Sequence, residues 1–172
     1  QFGHVTTTDG VLKVQKKIVI VGATSCIAEH CARLWVAESP KSMILLGRNL
    51  TKVERVAQDL LIRSMQSSIQ VESTDFFDPT SIRDWVEQVC VKDVPDIVLI
   101  AHGSLPDQEE CQQDLTQNHK VLELNGISPV LFAEAFAGHM ERADKGVLAI
   151  IGSVAGDRGR KSNYVYGAAK GL

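Results

Sequence analysis

The sequence lacks the features that mark secreted, membrane-spanning and zinc-finger proteins. Its four cysteines form no C-x-x-C pair, and no histidines follow them at zinc-finger spacing, which excludes a disulfide framework and a zinc finger. No apolar run approaches the roughly 20 residues that span a bilayer, and residues 1–17 are polar without the apolar core of a signal peptide. We therefore expect a cytoplasmic protein with no transmembrane segment and no metal site.

The charge balance also lacks a surplus of one sign. Asp and Glu number 21 against 18 Lys and Arg, so nothing in the net charge of -3 favours binding to a phosphate backbone, and no nucleic-acid partner is expected. With 172 residues, 44% of them hydrophobic, the chain has the length of about one domain and a composition typical of packed proteins. We predict a single domain over residues 1–172.

Short apolar runs alternate with helical patterns along most of the chain. Strands are predicted at residues 17–21, 43–46, 69–72, 96–101 and 146–151, and a polar connection at residues 104–113. Helices are predicted at residues 26–38 and 51–65, after Asp78-Pro79, at residues 115–140 with bends at Gly126 and Pro129, and from Asn163. This alternation predicts an α/β fold with a mostly parallel sheet covered by helices on both faces.

The first predicted strand leads into the first helix through a short loop that begins with glycine. It reads Gly22-Ala23-Thr24-Ser25-Cys26-Ile27-Ala28, and such a loop turns backbone N–H groups and the positive end of a helix toward a phosphate. Dinucleotide loops commonly have three glycines, but Cys26 and Ala28 occupy the second and third places here. The alternative is a strand-to-helix turn that binds no ligand.

Two side chains near the next strands bear on the cofactor. No carboxylate follows the second strand in Leu46-Gly47-Arg48-Asn49, and the guanidinium of Arg48 suits a 2'-phosphate, which favours NADP over NAD. Alternatively, Arg48 is a solvated surface charge. Asp75 follows the third strand and is suited to accept a hydrogen bond from an adenine amino group, or to cap a turn.

Tyr166 and Lys170 lie four residues apart, so on a helix they share one face. An ammonium beside a phenol favours the phenolate, which suits a tyrosine to proton transfer. Ser153 lies 13 residues earlier, at the end of the fifth predicted strand, where ligands bind in open α/β sheets. Its hydroxyl is placed to hold a substrate carbonyl, and a chance surface pair is the alternative for Tyr166 and Lys170.

The sequence resembles the short-chain dehydrogenase/reductase family. The resemblance rests on the loop at Gly22, on the spacing of Ser153 from Tyr166, and on the motif Tyr166-Gly167-Ala168-Ala169-Lys170. The resemblance implies a Rossmann-like, doubly wound three-layer α/β/α domain that binds NAD(P), and a homodimer or homotetramer. It assigns substrate positioning to Ser153, proton transfer to Tyr166, binding of the nicotinamide ribose to Lys170, and a proton relay to Asn125. Asn125 could equally bond its own helix at a bend.

Where the family usually has N-A-G after the fourth strand, this sequence has Ala101-His102-Gly103, for which backbone contacts to the nicotinamide side are expected. We interpret His102 as a loop histidine facing solvent, with a polar group near the active site as the alternative. Family members continue for roughly 80 residues past the lysine, so the resemblance implies an incomplete domain without the C-terminal strands.

A narrower resemblance is to the branch that includes the reductase half of decaprenylphosphoryl-ribose 2-epimerase. It rests on Gly22-Ala23-Thr24-Ser25 and on the residues around Ser153 and Tyr166. Arg158, Arg160 and Lys161 would then meet an anionic sugar phosphate, although an exposed basic loop explains them equally well.

The leading hypothesis is an oxidoreductase that prefers NADP and acts on a small carbonyl or alcohol substrate, such as a keto-sugar. Two alternatives remain. The first is a catalytically silent nucleotide-binding scaffold of the same fold. The second is a sugar epimerase that forms a transient keto intermediate and consumes no cofactor.

Overall fold

The computed structural model describes residues 6–8, 11–13 and 15–172. Near its start lies a small antiparallel hairpin of β1 (Thr6–Thr8) and β2 (Val11–Lys13), in a stretch for which the sequence predicted no element. The rest of the predicted polar start, up to residue 14, lies outside the described residues.

A five-stranded parallel sheet forms the centre of the fold. Its strands are β3 (Lys17–Val21), β4 (Ser42–Leu46), β5 (Ser68–Glu72), β6 (Ile97–Ile100) and β7 (Val147–Ile150). They pair in the order β5-β4-β3-β6-β7, so the chain winds outward from β3 in both directions. The predicted α/β fold and all five predicted strands are confirmed, with bounds that differ by one residue at most at either end.

Eight α-helices and one π-helical segment are present in the part of the chain that the structure describes. They are α1 (Cys26–Glu38), α2 (Leu50–Arg63), α3 (Pro79–Cys90), α4 (Gln108–Gln113), α5 (Leu115–Leu122), the π-helical segment (Glu123–Ile127), α6 (Ser128–Ala143), α7 (Val154–Asp157) and α8 (Tyr164–Lys170). The cap predicted at Asp78 is confirmed, because its carboxylate accepts the N–H groups of Thr80 and Ser81.

Each face of the sheet carries its own apolar core. Alternate residues of β3 point to opposite faces, so Ile18 and Ile20 pack with the buried side chains of α1 and α2. Val19 and Val21 pack with α3 and α6 on the other face. A strand buried on both sides needs a continuous apolar run, and this is why K-I-V-I-V carries no polar alternation.

The polar stretch at residues 104–113, for which the sequence predicted no element, contains the helix α4. Its six residues, Q-E-E-C-Q-Q, hold one apolar side chain and therefore show no helical periodicity. The helix forms because Asp107 caps its N-terminus, accepting the N–H of Glu109 at 2.7 Å, and because its own Cys111 is fully buried.

The long helical stretch predicted at residues 115–140 is present and is interrupted by the π-helical segment at Gly126. By length and composition this stretch, Leu115–Ala143, could cross a membrane, with a mean hydropathy of 1.2 in its most apolar window. Core helices of globular proteins pass the same test, and here Phe132 and Phe136 are fully buried in the core beside the sheet.

Candidate active site

The loop after β3 begins at Gly22, whose backbone conformation only glycine adopts easily. Gly22 has φ +85°, and a Cβ built on it would lie 2.5 Å from the backbone nitrogen of His102. The loop after β3 therefore presses against the loop after β6, and the two loops form one continuous wall at the carboxyl end of the sheet.

The N-terminus of α1 is open toward this edge. Ser25 is the N-cap residue, yet its hydroxyl makes no cap hydrogen bond to the described residues. The first-turn N–H groups thus lack the acceptor that a serine usually provides, and they lie at the positive end of a 13-residue helix. A phosphate of a dinucleotide would accept hydrogen bonds from these N–H groups and place its negative charge at the positive helix end. This loop therefore fits the dinucleotide that the sequence predicted for it.

The replacements of two loop glycines have different consequences. Ala28 is fully buried in the core of α1 and α2, where a small side chain permits close packing of the helix on the sheet. Cys26 and Ile27 are exposed, as is Thr24. The thiol of Cys26 lies 3.7 Å from Nδ1 of His30, one turn further along the same helix.

Arg48 and Asp75 both contact Phe77, one at its ring and the other at its backbone. The guanidinium carbon of Arg48 is 5.9 Å from the centroid of the Phe77 ring, which is within range of a cation–π contact. Oδ1 of Asp75 accepts the N–H of Phe77 at 2.8 Å, so the turn-capping role considered for Asp75 is present. Both side chains remain exposed at the carboxyl end of the sheet.

The interpretation of His102 as a loop residue facing solvent is wrong. Only 8% of its surface is exposed, and its ring packs edge-on against Phe76 and Phe132, with centroid distances of 4.9 and 5.7 Å. Nε2 lies 3.0 Å from the hydroxyl of Ser128, while Nδ1 is buried with no hydrogen-bond partner among the described residues. Two aromatic rings from distant parts of the chain cover the histidine, so its burial could not be predicted from the residues next to it in sequence.

Burial, reinforced by the positive charges of Lys170 and Arg48, lowers the pKa of His102 to about 3. In the unfolded chain a histidine takes up a proton near pH 6.5, whereas the folded protein does not. The free energy of unfolding should therefore fall by about 1.4 kcal/mol for each pH unit below about 6.5 on account of this residue. This contribution is complete above pH 6.5 and is lost as the pH falls toward 3.

The variant His102→Gln checks this expectation, because glutamine retains a polar group for Ser128 without titrating. Urea unfolding between pH 7 and 4.5 should show a shallower loss of stability in the variant than in the wild-type protein. Parallel curves for the two proteins would contradict the assigned pKa.

Asn125 joins the π-helical segment to the loop after β6. Its Oδ1 accepts the N–H of Ser104 at 2.8 Å, and its Nδ2 donates to the carbonyl oxygen of Val121 at 3.0 Å. The second bond is the local helix contact that the sequence left open. Asn125 is only 2% exposed, and the two hydrogen bonds of its side chain hold the π-helical segment against the loop after β6.

Ser153 and Tyr166 are carried by two helices that pack closely on each other. Ser153 is the N-cap of α7, and its Oγ accepts the N–H of Ala155 at 3.2 Å. Glycines permit this packing: a Cβ on Gly156 would lie 2.5 Å from the carbonyl oxygen of Lys170, and one on Gly167 would lie 2.7 Å from that of Ala155. The side chains of Ser153 and Tyr166 are half-buried.

Lys170 extends from the last turn of α8 to the end of the sheet. Its Nζ donates to the carbonyl oxygen of Ile151 at 3.0 Å, and burial lowers the pKa of its ammonium. A Cβ built on Gly103 would lie 2.7 Å from Oδ1 of Asn125 and 3.7 Å from Nζ of Lys170. Gly103, Asn125 and Lys170, which are distant in sequence, therefore meet at one point.

The structure thus brings most of the predicted residues to the carboxyl end of the sheet. Ala101 is buried there, and its N–H donates to the carbonyl oxygen of Val21. Sequence reasoning missed Ser128, which is fully buried against His102, and Ser104, which Asn125 holds. Arg158, Arg160 and Lys161 form an exposed loop between α7 and α8.

A family model described as short chain dehydrogenase matches residues 16–172. Among curated proteins, an uncharacterized oxidoreductase of Mycobacterium tuberculosis is 28% identical over 156 residues, which cover 89% of this chain and 61% of that protein. Dehydrogenase/reductase SDR family member 7B of Mus musculus is 27% identical over 158 residues, which cover 89% of this chain and 48% of that protein.

Solved structures share the fold. A short-chain type dehydrogenase/reductase from Mycobacterium ulcerans has a TM-score of 0.80 at 22% identity, covering 91% of this chain and 57% of that one. A short chain dehydrogenase from Shigella flexneri, in complex with NADP, has a TM-score of 0.78 at 24% identity, covering 90% of this chain and 66% of that one. The chain thus spans between about half and two thirds of the length of these proteins. The narrower decaprenylphosphoryl-ribose branch is not confirmed.

Proposed function

This chain belongs to the short chain dehydrogenase family, and on that premise we propose that its protein is an NADP-preferring oxidoreductase of small carbonyl or alcohol substrates. The observation that carries the proposal is the meeting of Gly103 and Asn125 with Lys170, which lies on the same helix as Tyr166. A structural neighbour solved with NADP supports the choice of cofactor.

The open loop and two side chains at the sheet edge fit a dinucleotide. The first turn of α1 would hold the pyrophosphate, Asp75 the adenine, and Arg48 the 2'-phosphate that distinguishes NADP from NAD. The backbone of Ala101, His102 and Gly103 would line the nicotinamide side. When bound, the nicotinamide supplies hydride transfer to or from the substrate carbon.

The residues of this chain would manage the proton and the substrate oxygen. Ser153, at the start of α7, would hold the oxygen through its hydroxyl, and Tyr166 would donate a proton to it or remove one. Lys170, fixed by its bond to the carbonyl oxygen of Ile151, would stabilise the phenolate by its charge. Asn125 would keep the opposing wall in place through Ser104.

The test is a stoichiometric assay of the full-length protein with NADPH and a panel of ketones, aldehydes and keto-sugars. We expect one alcohol formed per NADPH oxidised. An epimerase would interconvert sugars without net consumption of NADPH, and a scaffold would bind the cofactor without turnover. Either result would overturn the proposal.

Arg48→Ala should weaken NADPH binding selectively. A charge-assisted hydrogen bond contributes about 1.5–3 kcal/mol, so we expect a loss of roughly 10-fold to 150-fold in NADPH affinity and little change for NADH. Arg55→Ala, at an exposed position on α2, is the matched control and should leave both affinities unchanged. Equal weakening of NADPH and NADH by Arg48→Ala would remove the basis for a preference for NADP.

A further inference from the structure

The helix that carries Tyr166 has no cap of its own. Asn163 is the N-cap residue of α8 and is of a type that usually caps, but its side chain makes no cap hydrogen bond. Its Oδ1 is instead buried with no partner among the described residues. The first-turn N–H groups of α8 must therefore find an acceptor elsewhere.

Gln108, the first residue of α4, provides that acceptor from 57 residues away in sequence. Its Oε1 accepts the N–H of Val165 at 3.2 Å, in the first turn of α8. The Gln108 side chain is buried with 8% of its surface exposed, and its Nε2 has no partner in the described chain. The bond to Val165 is thus the one polar interaction that the structure gives this buried amide.

Apolar packing holds α4 in place for this contact. Cys111, one turn after Gln108, is fully buried and packs in a small cluster with Val121 of α5 and Val165 of α8. Residues 104–113 are also fixed at their start, because Ser104 donates to Asn125. The acceptor is therefore held by a fixed segment.

We propose that Gln108 caps α8 from outside the helix and is a positioning residue for Tyr166. The inference rests on the proposed function, in which Tyr166 transfers the proton. Val165 directly precedes Tyr166, so the capped amide lies one residue from the phenol-bearing backbone.

Different contacts fix the two ends of α8. At the Lys170 end, Gly156 of α7 approaches the carbonyl oxygen of Lys170, and at the middle of α8 Gly167 approaches the carbonyl oxygen of Ala155. The half that bears Tyr166 depends on Gln108 and on the burial of Val165. Loss of the cap should therefore shift Tyr166 relative to Lys170 while the packing around Lys170 and the cofactor wall remains.

The test compares three variants in the full-length protein. Gln108→Met keeps the side-chain length and removes the acceptor, Gln108→Glu keeps an acceptor oxygen, and Gln112→Met places the same methionine on the exposed side of α4. Hydrogen exchange of the Val165 amide reports the cap directly, and steady-state kinetics with NADPH report its consequence.

We expect exchange of the Val165 amide to rise about tenfold in Gln108→Met and to stay near wild type in Gln112→Met. In the same variant kcat should fall about tenfold with an unchanged dissociation constant for NADPH, because a small misplacement of Tyr166 slows proton transfer. Gln108→Glu should recover most of both properties.

Unchanged protection of the Val165 amide in Gln108→Met would overturn the capping proposal, even if Gln108→Glu fails to fold. Lost protection with unchanged kcat would overturn the positioning role, provided that Tyr166→Phe abolishes turnover. If Tyr166→Phe retains turnover, the proposed function is overturned rather than the role of Gln108. The exchange measurement then still tests whether Gln108 caps α8.

Discussion

Replacement of Tyr166 by phenylalanine should reduce turnover by about 100-fold to 10,000-fold, which is the range that a positioned general acid or base contributes. Phenylalanine fills the same half-buried space on α8 and lacks only the hydroxyl, so the fold and the cofactor loops should be undisturbed. The measurement is kcat with NADPH and a ketone substrate, alongside the dissociation constant for NADPH.

The neighbouring Tyr164 offers a matched control. It is exposed at the first position of α8, so Tyr164→Phe removes a hydroxyl from the same helix without touching the proposed site. We expect this variant to retain turnover. Similar kcat values for Tyr166→Phe and Tyr164→Phe would contradict proton transfer by Tyr166.

The second large effect is expected at Gly22. In Gly22→Ala the new Cβ would meet backbone and Cβ atoms of His102 at 2.5–2.7 Å, and alanine would have to adopt φ +85°. The left-handed conformation costs about 1–2 kcal/mol and the overlap about 1–3 kcal/mol more, so we expect a total loss of roughly 2–5 kcal/mol in stability. NADPH binding should be lost as well, because the loops after β3 and β6 must move apart.

Gly159→Ala is the control for this prediction. A Cβ at Gly159 would meet nothing within 4 Å, so the variant should unfold and bind NADPH as the wild-type protein does. The measurements are thermal unfolding and NADPH titration on both variants. Wild-type values for Gly22→Ala would show that the two loops do not depend on the glycine.

The sequence predicted the elements whose stability is local or follows a clear period. K-I-V-I-V indicates a strand buried on both faces, and the helix at residues 26–38 was predicted with the bounds that the structure has. The sheet edge that gathers Gly22, Ser153 and Lys170 follows from the parallel topology, since all five carboxyl ends meet there.

What the sequence left open depends on contacts between distant segments. His102 looked like a solvent-facing residue because Phe76 and Phe132, which bury it, lie 26 and 30 positions away. The helix α4 has no apolar period, and its role in capping α8 depends on one hydrogen bond across 57 residues. The assignments of Ser153, Tyr166, Lys170 and Arg48 to a catalytic cycle stay predictions.

We propose that the loop Gly22-Ala23-Thr24-Ser25-Cys26 holds NADP although it lacks the second and third glycines. Fluorescence titration of the full-length protein with NADPH and, separately, with NADH tests it most directly. We expect a dissociation constant for NADPH in the micromolar range or tighter, with NADH binding at least about tenfold more weakly. Absence of binding by both nucleotides would contradict it.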